Sequence, residues 1–357
     1  LVGTAVPEGL LRGFLVDGVI SGVGSVIVFL PQILVLFLFI ILLEDFGYMA
    51  RAAFLMDRIM GGAGLHGRAF IPLLSSFACA IPGIMATRVI DNKRDRLTTI
   101  LVAPLMTCSA RIPVYTLIIS AFIPHRTVLG FMNLQGLVMF GLYATGIVSA
   151  LAVSFVTRRF FWRGAVEPFL MELPTYKIPD PENVIRSLYL RGKIFVNRAG
   201  RIIAPLMVVV WVLANFPAPP RGAVGPAINY SLAGMIGHVI QPLLAPNGFN
   251  WQMTVALIPG FAAREVAVAV LGTVYAVSGQ THPGALATTL AGQWSVATGL
   301  SFLAWYVFAP QCASTLGVIK RETNSWRWPL IAFGYMTAMA YVAALATYQA
   351  ARAAGLG

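Results

Sequence analysis

The sequence SSFACAIPGIMATR, residues 75–88, decides the fold of this chain because it interrupts an apolar segment that lies between Arg68 and Arg88. Cys79 stands three residues before a Pro-Gly pair. Proline removes a helical hydrogen bond and clashes with the preceding turn. Broken backbone at membrane depth is tolerated only where protein buries it or where it lines a cavity. The stretch therefore predicts a hairpin that enters and leaves on one side, with Cys79 facing a pathway.

The composition indicates an integral membrane protein. The 357 residues are 58% hydrophobic and 11% charged, whereas soluble domains are roughly 45–50% apolar and 25% charged. A helical crossing needs about 20 apolar residues. We therefore predict an all-α, polytopic transmembrane helical bundle. Its apolar runs cover residues 22–43, 97–123, 129–156, 202–216, 253–277, 300–319 and 329–348.

The net charge of +12 indicates orientation and lipid contact rather than nucleic-acid binding, because the basic residues concentrate in loops beside apolar runs. The loops at 88–96 and 158–201 are predicted to be cytoplasmic, and 181–201 alternates apolar and basic residues like an amphipathic surface helix. If Lys320 and Arg321 are also cytoplasmic, the last crossing leaves the C-terminus on the outer side.

The chain divides into two gate-like halves that contain interrupted or re-entrant helices. We assign residues 1–157 to the first half, 158–201 to a cytoplasmic basic loop with an amphipathic helix, and 202–357 to the second half. Both halves place Ala-Pro shortly before Cys and Ser, in APLMTCS at 103–109 and in APQCAS at 309–314. Internal repeats of this kind are common in transporters.

All three cysteines of the chain, Cys79, Cys108 and Cys312, lie near a proline in an apolar segment. A lone cysteine is commonly a small buried hydrophobe, and that interpretation stays open for each of them. Thiolate is also a soft ligand that suits transition metals better than magnesium or calcium. The three thiols are therefore candidate metal ligands, with a second tier of Ser109, Gln311, Met106, Glu44 and Glu265.

Several enzyme classes lack their motifs in this sequence. No Gly-x-x-x-x-Gly-Lys-Ser/Thr loop, no His-Glu-x-x-His and no Gly-x-Ser-x-Gly is present, and these motifs mark P-loop nucleotidases, zinc proteases and serine hydrolases. Catalysis is therefore not expected of this chain. Because residue 1 is Leu, we also expect it to be a piece of a longer protein.

Five segments closely resemble the membrane domain of the ferrous iron transport protein B family, in the same order and over nearly the whole chain. They are LEDFGYMARAAFLMDRIM, GLHGRAFIPLLSSFACAIPGIMATR, APLMTCSARIPVYTLIISAFIP, PGFAAREVAVAVLGTVY and YVFAPQCASTLGVIKRET.

The resemblance implies uptake of ferrous iron (Fe²⁺) across the bacterial inner membrane. It implies a preceding GTP-binding domain, absent here, to which any GTP and Mg²⁺ belong. The resemblance also implies that ferrous iron transport protein A binds on the cytoplasmic side and that the chain is embedded in the lipid bilayer. Formation of a homo-oligomer is possible and stays open. The family's candidate iron contacts correspond here to Cys79, Cys108 and Cys312.

Two other functions compete with iron uptake. A gate-type organic-solute carrier, such as a nucleoside transporter, shares such hairpins but needs several converging hydrogen-bonding side chains, and the sequence around Cys79 is mostly apolar. A membrane receptor or scaffold for the missing domain would conduct nothing.

Overall fold

The computed structural model describes residues 10–15, 20–128, 132–160, 176–217, 230–262, 264, 266–275, 283–310 and 312–356. Over these residues the chain is helical apart from short connections and one small ribbon, in which β1 (Thr127–Val128) pairs antiparallel with β2 (Met132–Asn133). The predicted all-α bundle is therefore confirmed.

The helices of the two halves follow one order. The first half contains α1 (Leu10–Gly13), α2 (Ser21–Asp45), α3 (Tyr48–Gly62), α4 (Phe70–Ser76), α5 (Ala80–Ala86), α6 (Lys93–Val102), α7 (Ile112–Phe122) and α8 (Leu134–Phe160).

The second half of the helical order begins with α9 (Pro181–Asn215), which starts inside the predicted loop at 158–201. It continues with α10 (Leu232–Leu244), α11 (Trp251–Ala262), α12 (Val266–Val274), α13 (Pro283–Gln293), α14 (Val296–Phe308), α15 (Ala313–Thr323) and α16 (Arg327–Ala353). Each half therefore has a long helix, a shorter helix, a helical hairpin, a broken helix and a final helix of 27 residues. The second half adds α13 between its hairpin and its broken helix.

Both hairpins contain Ile-Pro-Gly, and the glycine permits the two arms to touch. In the first hairpin (α4 and α5), a Cβ on Gly83 would lie 2.7 Å from the Pro72 carbonyl oxygen. In the second hairpin (α11 and α12), a Cβ on Gly260 would lie 3.0 Å from the Ala267 Cβ. The hairpin predicted from residues 70–87 is confirmed, whereas the interpretation of 253–277 as one crossing is wrong. The length and apolarity of that run matched a span, but its chain folds back after Ala262.

The expected surface helix at 181–201 and the expected crossing at 202–216 are one continuous helix, α9. It begins with Asp180, whose side chain accepts a hydrogen bond from the Glu182 backbone N–H at 3.2 Å, and with Pro181 in the first turn, where proline costs no hydrogen bond. Val184 of α9 packs with Phe37 of α2 in a small apolar cluster. The division of the chain at 157 and 201 stays a prediction.

Four segments of the described chain are long and apolar enough to cross a membrane, by length and composition: Lys93–Phe122, Leu134–Phe160, Val296–Thr323 and Arg327–Ala353. Two of them are broken helices. The first broken crossing joins α6 to α7, and the second joins α14 to α15. Each begins with a capping side chain: Asn92 accepts from the Arg94 N–H at 2.9 Å, and Ser295 accepts from the Thr298 N–H at 3.2 Å.

Ion pairs place the ends of the two broken crossings at one face of the bundle. Glu322, at the end of α15, binds Arg88 at 2.7 Å and Arg96 at 3.0 Å. Its carboxylate is almost fully buried, at 2% exposure. The Glu322 hydrogen bond raises the pKa of Arg88 above its usual value. We call this side, which carries residues 88–96, 158 and 320–322, the basic face.

The two halves run in opposite directions. The first broken crossing starts at the basic face with Arg96 in its first turn, and the second ends there with Glu322. Helix α16 then runs about 40 Å back across the bundle, and the Leu356 carbonyl accepts from the Ala297 N–H at the opposite face. Lys320 and Arg321 therefore share the face of residues 88–96, with the C-terminus opposite. Such inverted repeats are typical of secondary transporters.

The apolar core forms two layers with the chain breaks between them. One layer buries α6 and α15 beside the first hairpin, with Leu101 and Ile319 among its members. The other buries α7 and α14 beside the second hairpin, with Ile118 and Phe302 among its members. Each broken crossing therefore contributes one half to each layer, and its break lies at the junction.

We expect Gly83→Val to destabilise the first hairpin, because its Cβ cannot avoid the Pro72 carbonyl oxygen. Overpacking of this kind costs about 1–3 kcal/mol, measurable as a lower midpoint of thermal unfolding in detergent. Gly141→Val is the control, since a Cβ there meets no atom within 4 Å. Equal midpoints for both variants would contradict the close approach of the arms.

We expect Glu322→Gln to lower the free energy of unfolding by about 2 kcal/mol, between the values of exposed and buried ion pairs. The reason is that Arg88 and Arg96 lose the buried carboxylate that pairs with both of them. The matched control is Asp91→Asn, whose carboxylate pairs with Arg68 but is 86% exposed, and which should cost under about 1 kcal/mol. Denaturant titration of the purified protein in detergent measures both, and a larger loss in the control would contradict the assignment.

Candidate functional site: three thiols at helix breaks

Each cysteine occupies the extended residue directly before a helical segment. Cys79 precedes α5 with φ −155° and ψ 132°, and Cys312 precedes α15 with φ −157° and ψ 98°. Cys108, with φ −81° and ψ 162°, precedes the 3₁₀ turn Ser109–Arg111 that leads into α7. All three are partly buried. The association of thiols with broken backbone predicted from the sequence is therefore confirmed.

Hydrogen bonds join the breaks at Cys79 and Cys108. They connect Ala78, the residue before Cys79, with Ser109, the residue after Cys108. The backbone N–H of Ser109 donates to the Ala78 carbonyl oxygen at 3.4 Å, and its hydroxyl donates to the same oxygen at 3.0 Å. This bond satisfies a carbonyl that the first hairpin exposes at its tip. Ser109, a second-tier candidate ligand, therefore links the two breaks, while its hydroxyl oxygen retains acceptor capacity.

Cys312 begins the helix that packs beside the first hairpin. Leu316, one turn after Cys312, contacts the same buried apolar cluster as Cys79. Across the described part of the chain, however, no three His, Cys, Asp or Glu side chains form a group that could hold a metal ion. The thiols therefore lie at successive breaks and do not form one three-ligand centre.

Arg111 connects the two breaks of the bundle core. Its side chain is fully buried, and Nη1 donates to the Val307 carbonyl oxygen of α14 at 2.6 Å. The same guanidinium donates to the carbonyl oxygens of Leu105 at 3.4 Å and Pro104 at 3.2 Å. The carbonyls of Pro104 and Leu105 lie at the break between α6 and α7. The carbonyl of Val307 lies one residue before the end of α14, at the break between α14 and α15. The Arg111 side chain thus donates hydrogen bonds to backbone oxygens of both inverted halves.

Arg264, in the connection of the second hairpin, has a related position. It is 5% exposed and donates from Nη2 to the Ala309 carbonyl oxygen at 3.3 Å. Ala309 follows α14 directly, so Arg264 of the second half binds the same break that Arg111 of the first half binds. Two buried arginines therefore hold the end of α14, one from each half.

Polar groups collect around Cys108. Thr107, Arg111 and Tyr115 are fully buried, and the Tyr115 hydroxyl lies within hydrogen-bonding reach of the Thr107 and Arg111 side chains. Tyr115 and Tyr143 both lie close enough to Cys108 to interact with it electrostatically. The hydroxyls of Thr107 and Tyr115 therefore place two oxygen atoms in the neighbourhood of Cys108.

Sequence reasoning missed Thr107 and Tyr115 as neighbours of the thiol. The available signal was the spacing of Arg111 and Tyr115, four residues apart at the start of one helix and hence on one face. Thr107 gave no signal beyond its place next to Cys108.

The remaining second-tier candidates have varied positions. Met106 is buried in the apolar layer beside the first hairpin. Glu44 is exposed at the end of α2 and pairs with Arg191 of α9 at 3.2 Å, where it lines a cavity that contains none of the three cysteines. Glu265 and Gln311 lie outside the described residues.

Fold and site together define a polytopic membrane protein with two inverted helical repeats, each interrupted at mid-depth. The family model Gate, described as nucleoside recognition, matches residues 26–122 and 196–326. Since these matches cover more than half of the sequence, the chain belongs to this family. The model for the C terminus of ferrous iron transport protein B matches residues 139–191, so the resemblance found in the motifs is confirmed. Neither model describes an enzyme.

Curated relatives match nearly all of the chain. A protein of Leptospira interrogans serogroup Icterohaemorrhagiae serovar copenhageni, named Fe(2+) transporter FeoB, is 44% identical over 365 residues and 98% of this chain. A Staphylococcus aureus (strain COL) protein of the same name is 42% identical over 340 residues and 95% of the chain.

A Porphyromonas gingivalis protein, named Fe(2+) transport protein A/Fe(2+) transporter FeoB fusion protein, is 36% identical over 393 residues and 98% of this chain. The matches cover 52%, 49% and 45% of the three relatives respectively. The chain thus spans about half the length of the curated relatives it matches. No solved structure matches this chain.

We expect Arg111→Met to leave the carbonyl oxygens of both breaks without their donor. Hydrogen bonds to a charged group contribute about 1.5–3 kcal/mol each, so the free energy of unfolding in detergent should fall by at least about 2 kcal/mol. Arg111→Lys should restore only part of this loss, because an ammonium lacks the planar fork that spans several acceptors. Arg94→Met, at an exposed arginine, is the control, and a loss there as large as at Arg111 would contradict this role.

Proposed function

We propose that this chain is the membrane permease part of a ferrous iron uptake protein. The observation that carries the proposal is that all three thiols of the chain stand at backbone breaks of the bundle, each directly before a helical segment. The names of the curated relatives support iron as the transported ion.

The proposed route passes the thiols in succession. Thiolate suits a first-row transition metal, and the hydroxyls of Thr107 and Tyr115 add oxygen donors beside Cys108. Conduction requires sites that are favourable enough to enter and weak enough to leave. Thiols at separate breaks meet this requirement better than one closed centre of three ligands, which would retain the ion.

The further parts of the proposal concern the whole protein. We assign the basic face to the cytoplasm, because short loops rich in Lys and Arg stay inside, and the membrane to the bacterial inner membrane. A GTP-binding domain with GTP and Mg²⁺ would precede this chain, since the relatives are about twice as long. The fusion in Porphyromonas gingivalis supports ferrous iron transport protein A as a partner. The segments 1–157, 158–201 and 202–357 remain our functional division.

A nucleoside-type solute carrier is less well supported, although the matching family model carries that description. A sugar or base needs several converging hydrogen-bonding side chains. Beside Cys79 the structure instead packs Phe77, Ala80 and Met85 against the apolar layer.

We expect Cys79→Ser and Cys108→Ser in the full-length protein to lower iron uptake at least about tenfold, in line with the effect of weakened metal-site ligation. Uptake of radioactive Fe²⁺ by cells that lack other iron transporters measures this. Ala152→Ser adds the same hydroxyl at an exposed position of α8 and should transport normally. Wild-type uptake by both cysteine variants at normal expression would refute the thiol route.

Fe²⁺ should protect the three thiols of the full-length protein from alkylation, whereas nucleosides should not, because only the ion binds sulfur. Mass spectrometry of the alkylated cysteines, with and without each solute, measures this protection. Protection by nucleosides alone would favour the solute carrier. Absence of Fe²⁺ flux in vesicles reconstituted with folded, full-length protein would favour a receptor or scaffold.

A further inference from the structure

A lateral cavity lies beside the first hairpin, and none of the three cysteines lines it. Its volume is about 580 Å³, within the range of roughly 300–1,000 Å³ that is typical of ligand pockets. Helices α2 and α9 form one wall, and the first hairpin forms the other. The lining is mainly apolar, and its residues include Phe37, Ile40, Ile71, Ile81, Met85 and Ile194.

The charged residues of the lateral cavity are at its basic-face end. Arg191 pairs there with Glu44 at 3.2 Å, and Arg68 pairs with Asp91 of the charged loop at 2.6 Å. Along α2, Phe37 lies about 10 Å deeper than Glu44, from a rise of 1.5 Å per residue. The cavity therefore has a mouth formed by two arginine–carboxylate ion pairs near the membrane surface and an apolar interior.

The two arginines can accept a further anion. Both hydrogen bonds of Arg68, to Asp91 and to the Val89 carbonyl, use Nη1, and a guanidinium carries five N–H donors. Arg191 binds Glu44 through Nη2. Both carboxylates are largely exposed and both arginines partly so, and such pairs are weak, so a phosphate can compete with Asp91 and Glu44 for these donors.

The apolar walls belong to helices that carry lipid-facing side chains. Val35 and Phe39 on α2 are 55% and 60% exposed, and Ile185 on α9 is 68% exposed. A water-soluble anion would leave the apolar interior unused. An amphiphile with an anionic head and a hydrocarbon chain fits both ends of the cavity.

We propose that the lateral cavity binds one acidic phospholipid, with its phosphate at Arg68 and Arg191 and an acyl chain against Phe37, Ile81 and Met85. Basic pockets between membrane helices commonly bind acidic lipid head groups. Because Ile81, Pro82 and Met85 belong to α5, the lipid supports the arm that follows Cys79. This inference does not depend on the identity of the transported solute.

The test uses the full-length protein, stripped of lipid in detergent and titrated with phosphatidylglycerol or phosphatidylcholine under native mass spectrometry. The wild type should retain phosphatidylglycerol in preference to phosphatidylcholine. The double variant Arg68→Gln, Arg191→Gln should bind phosphatidylglycerol about 30-fold more weakly, since each basic residue near an acidic surface contributes roughly fivefold.

Two further variants make the test specific. The control double variant Arg94→Gln, Arg186→Gln removes the same charge from exposed positions that do not line the cavity and should bind like the wild type. Ala86→Phe places a ring in the cavity and should reduce binding while all charges remain.

Equal retention of the two lipids by the wild type, or equal weakening in the two double variants, would overturn the proposal. So would displacement of bound phosphatidylglycerol by millimolar inorganic phosphate, because the site would then recognise free phosphate alone. A folded Ala86→Phe variant that binds lipid like the wild type would also overturn it, since the acyl chain would then lie elsewhere.

Discussion

The bundle depends on how the backbone oxygens of two broken helices find donors in the absence of water. A continuous helix satisfies its own carbonyls, but a break at mid-depth leaves several without partners. Arg111 supplies donors to Pro104 and Leu105 in one half and to Val307 in the other. Arg264 adds a bond to Ala309. These cationic donors therefore stabilise both breaks inside the apolar core.

The same arrangement explains why the two inverted halves act as one body. Their cores are shared, because each broken crossing contributes one helix to each apolar layer. At the basic face, Glu322 of the second half binds Arg88 and Arg96 of the first. At mid-depth, Arg111 of the first half binds the Val307 carbonyl oxygen of the second half. The halves are thus connected at two depths, and the thiols lie between these connections.

Local patterns in the sequence predicted the parts of this structure that depend on one segment. Proline, glycine and apolar length predicted the first hairpin and the position of Cys79, because helix breaking is a local property. The same reasoning failed for residues 253–277, where the length of the apolar run matched a crossing and the fold-back depended on the packing of Gly260 against Ala267. The same reasoning also missed the ion pair between Arg88 and Glu322, because these residues are 234 positions apart in the sequence. Contacts between distant segments leave no periodic trace that a single sequence can reveal.

The bonding of Arg111 has an electrostatic consequence for any ion that passes Cys108. A guanidinium keeps its charge in all protein environments, and Arg111 donates to the backbone carbonyl oxygens of Pro104, Leu105 and Val307, with no ion pair to a carboxylate among the described residues. A fixed positive charge therefore stands beside the thiol. That charge repels a divalent cation at the same break. In the proposed iron route, this repulsion would shorten the dwell time of the cation at the break, which favours rapid turnover over storage.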